Sequence, residues 1–440
     1  MSDDPRRLID DAPMSRFQVV AVALTIALNA LDGFDVLSIS FASPGIAREW
    51  GIDRAALGIV LSMELIGMAV GSVLIGGVAD RIGRRPTILG CLAAMGVGML
   101  LCTTAHDVVT LCVYRVATGL GIGGMLAATN AMTAEYSSAR RRSLCISLMA
   151  IGYPLGAVVG GSIAAMLLRH HDWRAVFLFG GCVSLALIPL ILWRLPESIA
   201  FLIQKRPARA LERVNAILKR MGHAAAATLP AATREEARRG TADIFSPALR
   251  ALTIALTLAY FLHVATFYFI LKWVPKIVSD MGFEPSSAAG VLVWANVGGA
   301  AGGALFGLAA GRIGLRPLTI GVLLASAALV TAFGTLGAEG GLARLGLIAA
   351  VAGMCTNAGI VGLYALVARG FPTHVRATGT GFVIGVGRGG SALSPILAGY
   401  LFNAGLPLGA VATVMAAGSL LAAGALLARG LRAHQLSPSR

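Results

Sequence analysis

The chain has 440 residues, of which 57% are hydrophobic and only 13% charged. Soluble domains carry about 25% charged residues, so with a mean hydropathy of +0.79 a water-soluble globular fold is excluded. The net charge of +15 would suit a nucleic-acid binder, but the cytoplasmic Lys and Arg excess of membrane proteins produces the same figure, and no nucleic-acid partner is expected.

The first residues, MSDDPRRLIDD, are polar and mixed in charge, and the apolar run behind them is too long for a cleavable leader. Twelve spans follow, near 17–42, 56–79, 86–105, 108–134, 143–168, 174–194, 249–274, 286–311, 316–337, 342–369, 376–402 and 406–428. This predicts an all-α membrane protein. Lys and Arg crowd the segments that are cytoplasmic if both termini lie inside, while Arg48, Arg54, Arg169, Arg174, Lys272, Lys276 and Arg344 fall to the outer loops. The bias therefore orients both ends inward.

The first span carries LDGFD, residues 31–35. A charged side chain at bilayer depth costs roughly 2.5–3.5 kcal/mol on insertion scales. Asp32 and Asp35, three apart, lie one helical turn from each other, so they need a partner or a task. Glu64, in the second span, is read as a second protonatable site or a partner for Arg115, with a structural pairing as the competing arrangement. The second span closes on GGVADRIGRRP, residues 76–86, where Asp80 sits at the membrane edge and Arg81, Arg84 and Arg85 hold the turn inside.

In the fourth span Arg115 opens YRVATGLGIGG. GLGIGG is no dinucleotide loop, because no strand precedes it; close helix contacts explain it better. Six cysteines (Cys91, Cys102, Cys112, Cys145, Cys182 and Cys355) lie in apolar segments without metal-ligand spacing and read as core fillers. No metal and no cofactor is expected.

The long polar loop divides the chain into 1–195, a cytoplasmic linker at 196–247 and 248–440. Residues 203–222 of the linker read as one basic amphipathic helix. RIGRRP at 81–86 recurs as RIGLRP at 312–317, and ARRRS at 139–143 is echoed by HVRAT at 374–378 at nearly the same offset. Two such echoes argue for a duplicated six-helix unit. In the second copy Gly311 stands where Asp80 stands in the first.

The seventh span, AYFLHVATFYFILKW, offers Tyr260, His263, Phe267 and Tyr268 as an aromatic wall with polar edges, against packing or lipid contact as the plainer use. The tenth supplies Asn357 and Tyr364, whose polar atoms need partners there. In the eleventh, Arg388 is flanked by glycines that permit close approach. A buried guanidinium forks onto a carboxylate. One of Arg115 and Arg388 can therefore pair with the aspartates and leave the other for a bound carboxylate; Arg388 is taken for the carboxylate and Arg115 for the aspartates, with the reverse split and permanent ion pairs at both arginines as the alternatives.

GGVADRIGRRP resembles the signature loop of the major facilitator superfamily. DGFD in the first span and THVRATGTGFVIGVGRGGSALSP, residues 373–395, resemble the aromatic acid:proton symporters within it. The resemblance implies twelve helices in two pseudo-symmetric six-helix bundles. It implies a conformational latch at Asp80, Arg81, Gly83, Arg84 and Arg85, with Glu135 and Arg142 in a cytoplasmic charge relay and Asp80 facing the end of the eleventh helix near 373–378. It further implies that Asp32 and Asp35 are required for transport and couple it to protons. GYPLGAVVGG, 152–161, partly resembles an antiporter motif, but Tyr153 and the shifted spacing break it. No Walker A sequence is present, so ATP-driven pumping is not expected.

The expected function is import of a hydroxybenzoate-like carboxylate with protons, not catalysis, by a monomer in the inner membrane of a bacterium. The alternatives are a carrier of another small organic anion, such as a dicarboxylate or a sugar acid, and, further off, a drug-efflux antiporter.

Overall fold

In a computed structural model of the protein, residues 4–230, 241–335, 341–372 and 375–427 are described, residues 80, 241, 242 and 377 by their main chain alone. A helix needs about 20 residues to cross the bilayer core, and twelve of the helices are long and apolar enough.

Among the described residues there is no strand. The N-terminal helices are α1 (Pro5–Asp11), α2 (Arg16–Trp50), α3 (Arg54–Ile82), α4 (Arg84–Cys102), α5 (Val108–Tyr136), α6 (Arg142–His170) and α7 (Arg174–Arg194). Two short helices follow, α8 (Ile199–Lys205) and α9 (Ala210–Met221). The remainder are α10 (Arg250–Asp280), α11 (Pro285–Ile313), α12 (Leu315–Thr335), α13 (Gly341–Gly370), α14 (Arg376–Asn403) and α15 (Leu408–Leu427).

Several boundaries differ from the sequence reading. Helix α2 runs on past Pro44 to Trp50, with Ser40 and Ser43 fully buried rather than solvated. Helix α10 continues to Asp280, so Lys272 is not in a loop; it is fully buried inside the helix. The amphipathic linker segment is two helices. Pro207 disfavours helical geometry in the residue before it, and Arg206 ends α8 in the left-handed region (φ 46°). Helix α9 then turns Val214, Ile217, Leu218 and Met221 inward.

The chain forms two compact units. The first comprises Met1–Val36, Ile66–Gly160 and Phe177–Glu236. Its helices touch through small residues, since van der Waals contact and not the hydrophobic effect draws helices together in lipid. Gly152, Gly156 and Gly160 of α6 lie along α2. A Cβ on Gly156 would stand 1.7 Å from the Ala30 carbonyl oxygen. The GLGIGG run makes the helix contacts expected of it: Cβ atoms on Gly123 and Gly121 would meet the carbonyls of Met68 at 2.2 Å and Cys91 at 2.9 Å.

The second unit comprises Leu37–Leu65, Gly161–Val176 and Ala237–Arg440. Here α11 and α13 cross reciprocally: a Cβ on Gly298 would sit 1.8 Å from the Ala350 carbonyl oxygen, and one on Gly353 2.0 Å from that of Ala295. Both copies of the repeated turn pivot on a glycine with positive φ, Gly83 (110°) between α3 and α4 and Gly314 (91°) between α11 and α12.

Candidate functional site

In the first unit the two aspartates of α2 are buried, Asp32 at 2% and Asp35 at 0% exposure. The glycine between them is dictated by packing, because a Cβ on Gly33 would lie 2.0 Å from the Tyr153 carbonyl oxygen of α6. Neither oxygen of Asp32 has a hydrogen-bond partner among the described residues. Asp35 is met from two sides. Gly180 of α7 leaves room for its Oδ1, 3.1 Å from where a Cβ would be. Arg115 of α5, fully buried, donates from Nη2 to the Asp35 backbone carbonyl at 3.2 Å. The same guanidinium contacts Met99 Sδ at 3.1 Å and lies 5.4 Å from the centre of the Phe177 ring. The structure thus brings Arg115 to the main chain of Asp35.

The turn after α3 lies in the same unit. Glu135 of α5 is 3.5 Å from Arg84 Nη2, and the Ser198 hydroxyl donates to it. Arg142 is not with Glu135. It pairs with Asp10 of α1 and donates from Nε to the Ala134 carbonyl at 3.0 Å. Arg85 donates to the Leu192 carbonyl, and Arg81 is exposed. The side chain of Asp80 and residues 373 and 374 lie outside the described residues.

One residue escaped the sequence reading here. Glu197 accepts from the backbone N–H groups of Arg84 at 2.9 Å and Ser198 at 2.8 Å, capping the N-terminus of α4. A negative charge is favoured there by the helix dipole. A Cβ on Gly83 would be 2.3 Å from Glu197 Oε2, which adds a steric reason for that glycine to its positive φ.

In the second unit Gly387 and Gly390 let α14 press against α10. Cβ atoms there would stand 1.9 Å from the Tyr260 ring and 2.3 Å from the Phe261 carbonyl oxygen. Half-buried Arg388 is carried on this contact. Tyr260 donates its hydroxyl to that of Tyr364 of α13 at 3.0 Å, with ring centres 5.4 Å apart. Tyr260 is 5% exposed and Tyr364 41%, so the pair has one open edge. Phe267 and Tyr268 meet edge to face at 5.4 Å, both half-buried.

His263 and Asn357 are used differently. His263 is fully buried, with Nε2 2.9 Å from the Thr356 carbonyl and Nδ1 2.8 Å from the Ser419 hydroxyl. A carbonyl only accepts, so Nε2 carries the hydrogen and Nδ1 accepts from Ser419. Both nitrogens serve helix packing. Asn357 likewise donates to the Gly299 carbonyl of α11 at 2.7 Å.

Glu64 is paired, and with Lys272 of α10: Oε2 lies 3.4 Å from Nζ, both side chains at 0% exposure. Lys272 was missed because a lysine ending an apolar run reads as a loop, although Trp273 and Val274 continue the run beyond it.

Comparison with known proteins adds to this geometry. The model of the Major Facilitator Superfamily matches residues 25–395. A gallate transporter of Pseudomonas putida is 32% identical over 94% of this chain and 92% of its own. The 4-hydroxybenzoate transporter PcaK of Pseudomonas aeruginosa is 32% identical over 98% of this chain and 96% of its own. Among solved structures, the crystal structure of a D-xylose-proton symporter superposes with a TM-score of 0.70 at 18% identity, over 93% of this chain and 97% of the other.

Proposed function

We propose that this chain, which belongs to the Major Facilitator Superfamily, imports an aromatic carboxylate together with protons by alternating access. The single observation that carries the substrate class is the Tyr260–Tyr364 pair, an aromatic surface with one open edge, packed against α14 at Gly387, the residue before Arg388. A benzoate-type ligand offers the two complements, a ring to stack and a carboxylate to fork onto arginine. The relatives that share the full length are named for gallate and 4-hydroxybenzoate, both aromatic carboxylates. Phe267 and Tyr268 extend the wall; His263 and Asn357 hold its helices.

Asp32 and Asp35 take the coupling role. An ionised carboxylate with no hydrogen-bond partner is costly away from water, and a proton on Asp32 cancels that cost. Arg115, anchored to Asp35, Met99 and Phe177, holds the pair in place.

The protein is a multi-pass protein of the bacterial inner membrane. The Lys and Arg bias supports cytoplasmic termini. The reading further has a monomer whose halves, 1–195 and 248–440, move about the linker at 196–247. The turn after α3, with Gly83, Arg84, Arg85 and Glu135, serves as the cytoplasmic latch.

Uptake of labelled 4-hydroxybenzoate into proteoliposomes, with and without an inward proton gradient, tests the reading. The wild-type protein should accumulate the acid only with the gradient, and Asp32→Asn should abolish accumulation. If benzoate-type acids are neither taken up nor compete for uptake of any other anion, the aromatic assignment fails and the superfamily alone stands.

A further inference from the structure

The first turns of α3 are fixed onto α10 and α14 within the second unit. Arg54 reaches Asp280 at 3.0 Å and lies 5.2 Å over the Phe402 ring. A turn deeper, Cβ atoms on Gly58 and Gly399 would meet the carbonyl oxygens of Pro395 at 2.5 Å and Arg54 at 2.4 Å. Deepest is the Glu64–Lys272 pair. The Arg54–Asp280 pair is part exposed, at 44% and 30%, and pairs of that kind contribute little. Glu64 and Lys272 are wholly enclosed, and parting such a pair is costly.

Alternating access requires α3 to leave α10 and α14 once in each cycle. When it does, the Lys272 ammonium is offered to whatever anion enters. Glu64 presents the same functional group as the proposed substrate, a carboxylate, on a flexible stem. Replacing one carboxylate by another on Lys272 keeps that ammonium paired with an opposite charge. The other charged groups of the interlock, Arg54, Lys276 and Asp280, are engaged with one another.

We propose that Lys272 is an entrance station for the substrate's carboxylate and that Glu64 is its built-in competitor, which displaces the substrate as α3 closes. Lys272 lies twelve residues along α10 from Tyr260, about 18 Å at 1.5 Å per residue, so a displaced anion moves on towards Arg388. The proposal rests on the reading of the substrate as an aromatic carboxylate.

The test is the kinetics of 4-hydroxybenzoate uptake by the wild-type protein, Glu64→Gln, Glu64→Asp and Lys272→Gln in proteoliposomes. Removing the competitor should lower KM about tenfold, ~1.4 kcal/mol, and slow turnover. Removing the cation should raise KM about tenfold. A mere structural bolt is broken equally from either side, so KM shifts of the same sign in Glu64→Gln and Lys272→Gln overturn the proposal. Should Glu64→Gln fail to reach the membrane, the shortened carboxylate of Glu64→Asp competes less well and must also lower KM; an unchanged or raised value overturns it. Absence of uptake by the wild-type protein removes the transport reading and this station with it, an outcome distinct from either.

Discussion

The glycine inside LDGFD makes a sharp prediction. A Cβ on Gly33 would lie 2.0 Å from the Tyr153 carbonyl oxygen, 2.8 Å from its carbonyl carbon and 3.0 Å from its Cα. All three are backbone atoms, so no side-chain rotation relieves the clash. Ordinary contact begins near 3.4 Å, and α2 and α6 must therefore separate by 3.4 − 2.0 = 1.4 Å along that line. The neighbouring crossing points, Gly156 at 1.7 Å from the Ala30 carbonyl oxygen and Gly152 at 2.7 Å from that of Ile26, are also close and resist the move. Overpacking of this kind costs about 1–3 kcal/mol, and Gly33→Ala belongs at or above the top of that range. The control is Gly90→Ala in α4, where a Cβ meets nothing within 4 Å and a helix gains about 0.5–1 kcal/mol from the exchange. Thermal unfolding of the two purified variants in detergent should move Tm in opposite directions, down for Gly33→Ala. Uptake should fall with it, because the separation displaces the carboxylates on either side. Equal Tm values for the two variants would refute the reasoning that helix contact fixes this glycine.

Two further outcomes follow from the first unit. Arg115→Lys keeps the charge but cannot reach the Asp35 carbonyl and Met99 Sδ at once; initial uptake should drop about tenfold or more, since lysine lacks the planar fork, and a rate within twofold of wild type would exclude a positioning role. Glu197→Gln removes a charge from the N-terminus of α4 while leaving an oxygen to accept from Arg84 N. Stability should fall by ~1 kcal/mol in a Tm measurement, with KM for 4-hydroxybenzoate unchanged; a raised KM would place Glu197 in the transport path instead.

The spans were legible because an apolar run of bilayer length has few other uses, and the two aspartates were legible because their depth is costly. Their surroundings were not. Nothing near residue 33 in the chain announces that the Tyr153 carbonyl will press against it; the contact belongs to a helix 120 residues away. Lys272 fails for the same reason. Locally it looks like the end of a span, and the Glu64 that pairs with it there is on another helix. His263 shows the converse. An imidazole in an aromatic stripe suggests a ligand contact, yet Ser419 and Thr356, each on a different helix, occupy both of its nitrogens.

GYPLGAVVGG has a use that comparison with a motif does not bring out. Compared with a motif, the segment is broken at Tyr153. Considered as a surface, Gly152, Gly156 and Gly160 recur every four residues on one helix face, and that face is the one against α2. In a membrane the glycine spacing carries the packing information, because close approach of backbones does the work that apolar burial does in water. The same spacing argument applies to Gly298 and Gly302 against α13, and to Gly67 and Gly71 against α5. Depth and spacing, then, are readable in one chain. Which helix answers a given glycine or charge is a property of the fold, and the pairing of Glu64 with Lys272 follows from it.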